Sequence, residues 1–200
     1  MPDGDESMKR FFSRMSLAVA VAVLLPGLAA AQEVSQERIV KGLGKLTAAA
    51  PAVDLVILRQ EAISGGNKPM SALPNWQRIA KLPQMVVEIN FENDSVSIQP
   101  KSYRTLGMIA DALHHPNLWA YNFLIVGHSS ATGDEKHNLD LSEQRAAAIK
   151  EALSTTFAVD PQRLYAVGVG EHLPIEGTDV NGSNNRRVQL INLGVFKSKS

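Results

Sequence analysis

The sequence contains no cysteine, which excludes disulfide bonds, thiolate metal sites and a catalytic thiol. It also lacks an excess of charge of either sign, because 20 basic residues balance 20 acidic residues. Without a strong overall field, neither nucleic acid nor an anionic membrane surface is favoured as a partner. Recognition of an anion must therefore come from a local group of side chains.

Long apolar runs are absent except near the N-terminus. A basic region containing Lys9, Arg10 and Arg14 precedes an apolar run at 16–28, and small residues follow up to Ala31. This order is typical of a secretory signal peptide. The run is shorter than the roughly 20 residues that span a bilayer. We therefore expect export, cleavage after Ala31 and no transmembrane span in the cleaved chain.

Cleavage gives a direct prediction, which is that the exported protein begins at Gln32. The small residues before this position are the ones that signal peptidases accept. N-terminal sequencing or the intact mass of the protein in the periplasmic fraction measures the cleavage site. Recovery of the uncut chain from the inner membrane would contradict the prediction and indicate an anchored protein.

The remaining chain divides into a weakly patterned part and a regular part. Residues 32–84 contain short helical patterns that glycine and proline interrupt at 65–74, and we interpret them as a linker with short elements. Residues 85–195 are expected to form one domain, and 196–200 a short tail.

Strands and helices alternate in the regular part. Val87, Ile89 and Phe91 alternate with other residues and predict a strand, and an apolar face between Pro100 and Pro116 predicts a helix. The further expected elements are a strand over 123–126, a helix from about Leu141, and strands over 164–169 and 188–193. This β-α-β-α-β-β order predicts an α+β fold, a two-layer sandwich with both helices on one face of a mixed sheet.

Arg145 occupies a position that is unusual for a cation. An apolar stripe from Leu141 to Leu153 marks the buried face of the second helix. Arg145 is expected to point into this face, near the positive N-terminal end of the helix dipole. An anion held between the guanidinium and free backbone N–H groups would account for this position. The alternative is an arginine that lies over the sheet edge and donates to a loop carbonyl.

The segment Gly127-His-Ser-Ser-Ala131 also resembles a hydrolase nucleophile elbow, with Ser129 as nucleophile and Asp160 and His172 in triad order. An elbow needs its helix to begin directly after the serine, whereas 132–134 has the composition of a loop, so we disfavour an enzyme. The five histidines lack ligand spacing, and neither a metal site nor a cofactor is predicted.

Several spaced motifs carry a family resemblance. They are Phe91-Glu-Asn-Asp-Ser95, the run from Gly127 to Ala146, Gly168-Val-Gly-Glu-His-Leu-Pro174 and Asn185-Arg-Arg-Val188. In this order they resemble the OmpA-like C-terminal domain, a periplasmic peptidoglycan-binding module, and the resemblance covers residues 85–195.

The resemblance implies a non-catalytic cell-envelope protein of the periplasm, associated with the outer membrane, whose partner is peptidoglycan. The ligand would be the diaminopimelate of the stem peptide. Arg145 would clamp its carboxylates together with the backbone N–H of Leu141, Asn138 would fix the loop geometry, and Arg186 would border the site. Arg187, beside it, is either part of this border or a solvated charge.

At position 130 the sequence departs from the family pattern. Ser130 stands where the family has the aspartate that pairs with the ligand ammonium, and Asp134 is a possible replacement. Loss of a charged hydrogen bond weakens binding by about tenfold or more. The alternative function is an interaction module for envelope proteins that has lost wall binding, with residues 32–84 carrying the interaction.

Overall fold

The computed structural model describes residues 35–44, 46 and 53–195. The predicted signal peptide, its cleavage site and the tail lie outside these residues. The described strands are β1 (Gln84–Val87), β2 (Asn122–His128), β3 (Leu164–Gly170) and β4 (Val188–Gly194). The described α-helices are α1 (Gln36–Leu43), α2 (Leu55–Gly65), α3 (Pro74–Ile79), α4 (Tyr103–His114) and α5 (Glu135–Thr155). Short 3-10 helices lie at Met70–Ala72, Pro100–Ser102, Pro161–Arg163 and Ser183–Asn185.

The four strands form one mixed sheet in the order β1-β4-β2-β3. β2 and β3 are parallel, whereas β4 is antiparallel to both of its neighbours, β1 and β2. This architecture confirms the predicted α+β class and the predicted strand and helix order. The parallel pair directs the ends of β2 and β3 toward the same edge of the sheet, where the loops that carry the candidate site begin.

Helices α4 and α5 pack on the same face of the sheet, as predicted, and α1 joins them there. The contact between α5 and β3 is close, and Gly168 lies against the backbone of Glu143 where a Cβ would not fit. The Glu143 carboxylate accepts the Gly168 N–H, and Ser142 Oγ accepts the Gly170 N–H at 2.8 Å. These bonds fix the first half of α5 on the sheet.

Residues that the sequence pattern assigned to a linker form a third layer. Helices α2 and α3 cover the opposite face of the sheet and extend the two-layer arrangement that was predicted. Trp76 of α3 is 0% exposed, and its Nε1–H donates to the Leu58 carbonyl of α2 at 2.8 Å. The Glu61 carboxylate accepts the N–H of Asn75 at 3.0 Å and thereby joins the two helices. The sheet residues under this layer are Leu124, Val126, Val167, Val169, Ile191 and Leu193.

Strand β1 is shorter than the alternation predicted. It ends at Val87, and Phe91 makes only an isolated antiparallel bridge with Ile98. The strand stops where its partner begins, since Val87 pairs with Val188, the first residue of β4, and the Asn90 N–H beyond it donates to Ser102 Oγ at 2.8 Å. The chain between Phe91 and Ile98 therefore forms a separate loop. Among residues 35–44 and 53–195, the structure has no helix that is both long and apolar enough to cross a membrane.

Candidate functional site

The candidate site lies where β2 ends and the chain passes into α5. Asp134 is the N-cap of α5, and its carboxylate accepts the His137 N–H at 2.7 Å. This cap accounts for Asp134, which the sequence had offered as a replacement for the missing aspartate. Because α5 begins at Glu135, the loop between β2 and α5 contains only six residues, 129–134.

Asn138 holds this loop in place from the first turn of α5. Its Nδ2 lies 3.3 Å from the Ser130 carbonyl oxygen and 3.1 Å from the Thr132 carbonyl oxygen. The same amide group lies 2.8 Å from Glu171 Oε2, in the loop that follows β3. Asn138 is buried, and one side chain thus connects the two loops at this edge of the sheet.

Arg145 lies at the edge of the buried stripe of α5, in the third turn of the helix. Its guanidinium carbon stands 4.9 Å from the centroid of the Phe91 ring, a cation–π geometry. Its Nε donates to the Ser95 carbonyl at 3.0 Å, and Nη2 lies 3.5 Å from the Glu92 carbonyl. This matches the alternative considered from the sequence, in which Arg145 donates to a loop carbonyl.

The prediction that Arg145 lies in the first turns of its helix is wrong. α5 begins ten residues before Arg145, whereas the effect of the helix dipole fades within the first turn. The expected contribution of the Leu141 N–H is corrected for the same reason. Leu141 is the seventh residue of α5, and N–H groups beyond the fourth bond within the helix.

Ser130 is 1% exposed and lies within a small hydroxyl and guanidinium cluster. Its Oγ is 2.9 Å from Thr132 Oγ1 and accepts a hydrogen bond from Arg186 Nη1 at 3.3 Å. Thr132 and Arg186 are exposed, so they carry the outer surface of the cluster. The structure thus brings Ser130 and Arg186 together, and Asn138 donates a hydrogen bond to the Ser130 carbonyl.

Electrostatics connect Arg145 to this cluster. The pKa of Arg145 lies below its ordinary value, first because the guanidinium is half-buried. The carboxylate of Asp94 opposes this shift, whereas the positive charge of Arg186 adds to it. Asp94 itself lies 2.6 Å from Nε2 of His137, in an exposed pair. Two guanidinium groups therefore influence each other at one edge of the sheet.

Arg187 is held by hydrogen bonds inside the structure and is not a solvated charge. Its Nη2 donates to the Leu173 carbonyl at 3.0 Å, and Nη1 lies 3.4 Å from Asn185 Oδ1. Burial lowers the pKa of Arg187 to about 10. Burial, and to a smaller extent the charge of Arg187, hold the pKa of the His128 imidazole well below its usual value.

The arrangement of Ser129 contradicts the hydrolase alternative. Its Oγ is buried, and none of the described residues makes a hydrogen bond with it. Asp160 instead caps a 3-10 helix through the Gln162 N–H, and His172 lies 3.4 Å from Glu135. The helix begins six residues after Ser129, so neither a nucleophile elbow nor a triad is formed.

Sequence reasoning missed the contribution of the loop after β1. The Phe91 ring lies against the Arg145 guanidinium, and the Asp94 carboxylate raises the pKa of that guanidinium electrostatically. The motif Phe91-Glu-Asn-Asp-Ser95 contained the signal, since an aromatic residue and carbonyl-rich loop suit an arginine. Its distance of some 50 residues from Arg145 concealed the contact.

Part of the chain that contains these loops is similar to known proteins. Residues 90–187 match the OmpA family. The chain is 31% identical over 114 residues to outer membrane porin F of Pseudomonas fluorescens, which covers 56% of this chain and 34% of that protein. It is 33% identical over 106 residues to the peptidoglycan-binding protein ArfA of Mycobacterium bovis, covering 52% of this chain and 31% of that protein.

A solved structure also aligns with part of this chain. The peptidoglycan-associated lipoprotein from Burkholderia pseudomallei aligns with a TM-score of 0.44 and 31% identity, over 56% of this chain and 91% of that chain. The alignments with the two curated relatives span about a third of their lengths.

Proposed function

We propose that this chain is a non-catalytic cell-envelope protein that binds peptidoglycan non-covalently, because its residues 90–187 match the OmpA family. The proposed ligand is the stem peptide, with a carboxylate of its diaminopimelate held by Arg145. A relative with 33% identity is named as a peptidoglycan-binding protein, which supports this assignment.

The free edge of the Arg145 guanidinium is the observation that carries the proposal. A guanidinium has five N–H donors, and the loop carbonyls of Ser95 and Glu92 engage only the side formed by Nε and Nη2. Among the described residues, no acceptor contacts Nη1 of Arg145 within hydrogen-bond distance, and no carboxylate pairs with it. The Nη1–Nη2 edge can therefore take a carboxylate through two parallel hydrogen bonds.

The surroundings make this edge rigid. Phe91 supports the guanidinium from one side, and the two carbonyls fix its rotation. Asn138 holds the neighbouring loop, and Arg186 adds a second, exposed cation beside it. A preorganised clamp loses little conformational entropy when it binds, which favours recognition of a small charged group.

We place the protein in the periplasm, in association with the outer membrane. The sequence of the leader predicts export, and relatives that share this domain are named as outer membrane proteins. Peptidoglycan is accessible from that compartment.

We expect the purified protein to sediment with insoluble, diaminopimelate-containing peptidoglycan. A soluble stem peptide should release it, and higher salt should reduce the bound fraction because an exposed charge clamp is screened. Peptidoglycan with amidated stem carboxylates is the control and should retain less protein. If the protein remains in the supernatant in every case, wall binding is contradicted, and the interaction module for envelope proteins is favoured.

A further inference from the structure

The site contains two cations and no paired acid among its described residues. Neither Arg145 nor Arg186 forms an ion pair with a carboxylate in the described part of the chain. Arg186 instead donates to the neutral hydroxyl of Ser130 at 3.3 Å. Asp94 influences Arg145 electrostatically, but its carboxylate is engaged with His137 at 2.6 Å.

This charge pattern determines which groups a ligand can bring to the cluster. A carboxylate gains from both guanidinium groups, whereas an ammonium group beside them meets two like charges. The cluster also contains the hydroxyls of Ser130 and Thr132, which lie 2.9 Å apart, whereas the nearby Glu171 carboxylate accepts a hydrogen bond from Asn138 Nδ2 at 2.8 Å. A hydroxyl oxygen accepts a hydrogen bond from a neutral amide N–H, at no cost in desolvated charge.

We propose that this site selects a stem peptide whose diaminopimelate carries a free carboxylate next to an acylated amine. An amine is acylated in this way when two stem peptides are cross-linked, so cross-linked wall is the preferred ligand. Arg145 holds the carboxylate, and the exposed Thr132 hydroxyl accepts the amide N–H beside Arg186. This selectivity rests on the proposed function, since it specifies the ligand of the same site.

The experiment compares three soluble peptides with the purified protein by titration. One is a diaminopimelate-containing tetrapeptide with a free amine, the second has that amine acetylated, and the third has its diaminopimelate carboxylate amidated. We expect the acetylated peptide to bind at least about fivefold more tightly than the free-amine peptide, because its neutral amide avoids the repulsion between an ammonium and the two guanidinium groups. The amidated peptide should bind most weakly.

Substitution at position 130 tests the cause of the selectivity. Ser130→Asp places a carboxylate beside Arg186, and we expect it to reverse the preference, with the free-amine peptide about fivefold tighter. Asparagine has nearly the same shape as aspartate but no charge. Ser130→Asn should therefore keep the order of peptide affinities of the unsubstituted protein. Thermal melts of the two variants establish that both are folded to a similar extent, since Ser130 is buried.

The outcomes separate the selectivity from the proposed function. Equal binding of the free and acetylated peptides, with loss on amidation, would retain the carboxylate clamp and overturn the selectivity. A reversal in Ser130→Asn as well as Ser130→Asp would also overturn it, because shape and not charge would then be the cause. Absence of binding by all three peptides to every form would overturn the proposed function itself.

Discussion

Trp76→Ala is expected to lower the free energy of unfolding by about 3–5 kcal/mol, the range for truncation of a buried aromatic side chain. The indole is 0% exposed between α2 and the sheet, and its Nε1–H bonds to the Leu58 carbonyl. Removal of the ring leaves a cavity and removes the hydrogen bond that joins α3 to α2. Urea denaturation, followed through the midpoint and the slope, measures the loss.

The second tryptophan provides a matched control. Trp119 is 64% exposed, and Trp119→Ala should change the free energy of unfolding by no more than about 0.5 kcal/mol. If residues 32–84 acted as a linker, the two substitutions would have similarly small effects. A near-neutral Trp76→Ala would thus contradict the third layer and support the interpretation that the sequence pattern suggested.

The sequence contained a signal for this layer that helical periodicity did not reveal. In α2, Leu58 and Ala62 are buried while Val56 and Ile57 are exposed, so its apolar residues do not mark one face. The clearer signal was in β2, whose unbroken apolar run required a cover on both faces. Both predicted helices were assigned to one face, and the other face needed residues from outside the predicted domain.

The strands and helices of the regular part were predictable because each has a simple apolar period. The start of α5 was not, since its first residues are polar and lie over loops instead of the core. The sequence signal for that start was Asp134, which is the N-cap directly before the first helical residue, Glu135. The position of Arg145 relative to the helix end was therefore misjudged, and the argument from the helix dipole failed.

Contacts between loops that are distant in the sequence were also not predictable from the periodicity of apolar residues. Arg145 reaches the carbonyls of Glu92 and Ser95, and Arg186 reaches Ser130, across 50 to 56 residues. Such contacts depend on strand order, which places β4 between β1 and β2. Family motifs located the participating residues, but their hydrogen bonds required the three-dimensional structure.

Arg145→Ala is expected to weaken peptidoglycan binding about 10- to 100-fold, which corresponds to loss of charged hydrogen bonds worth about 1.5–3 kcal/mol. The stability should fall by about 1–2 kcal/mol, because the contacts with Phe91 and the loop carbonyls are lost. No unfavourable interaction with the start of α5 is relieved, since Arg145 lies ten residues beyond it.

Arg163 is the matched control for this substitution. Its guanidinium stands 5.6 Å from the centroid of the Phe123 ring and donates to the carbonyls of Tyr121 and Leu118. It precedes β3, at the end of the sheet opposite to the candidate site. Arg163→Ala should therefore reduce stability at least as much as Arg145→Ala, but leave sedimentation with peptidoglycan unchanged at temperatures where the variant is folded.

Sedimentation and thermal melts of both variants distinguish a clamp from a structural contact. Arg145→Lys adds a further comparison, because lysine keeps the charge but cannot form the planar two-bond contact with a carboxylate. We expect it to retain only part of the binding. If Arg145→Ala binds as well as the unsubstituted protein while losing stability, the guanidinium serves the loop after β1 alone, and the carboxylate must be bound elsewhere.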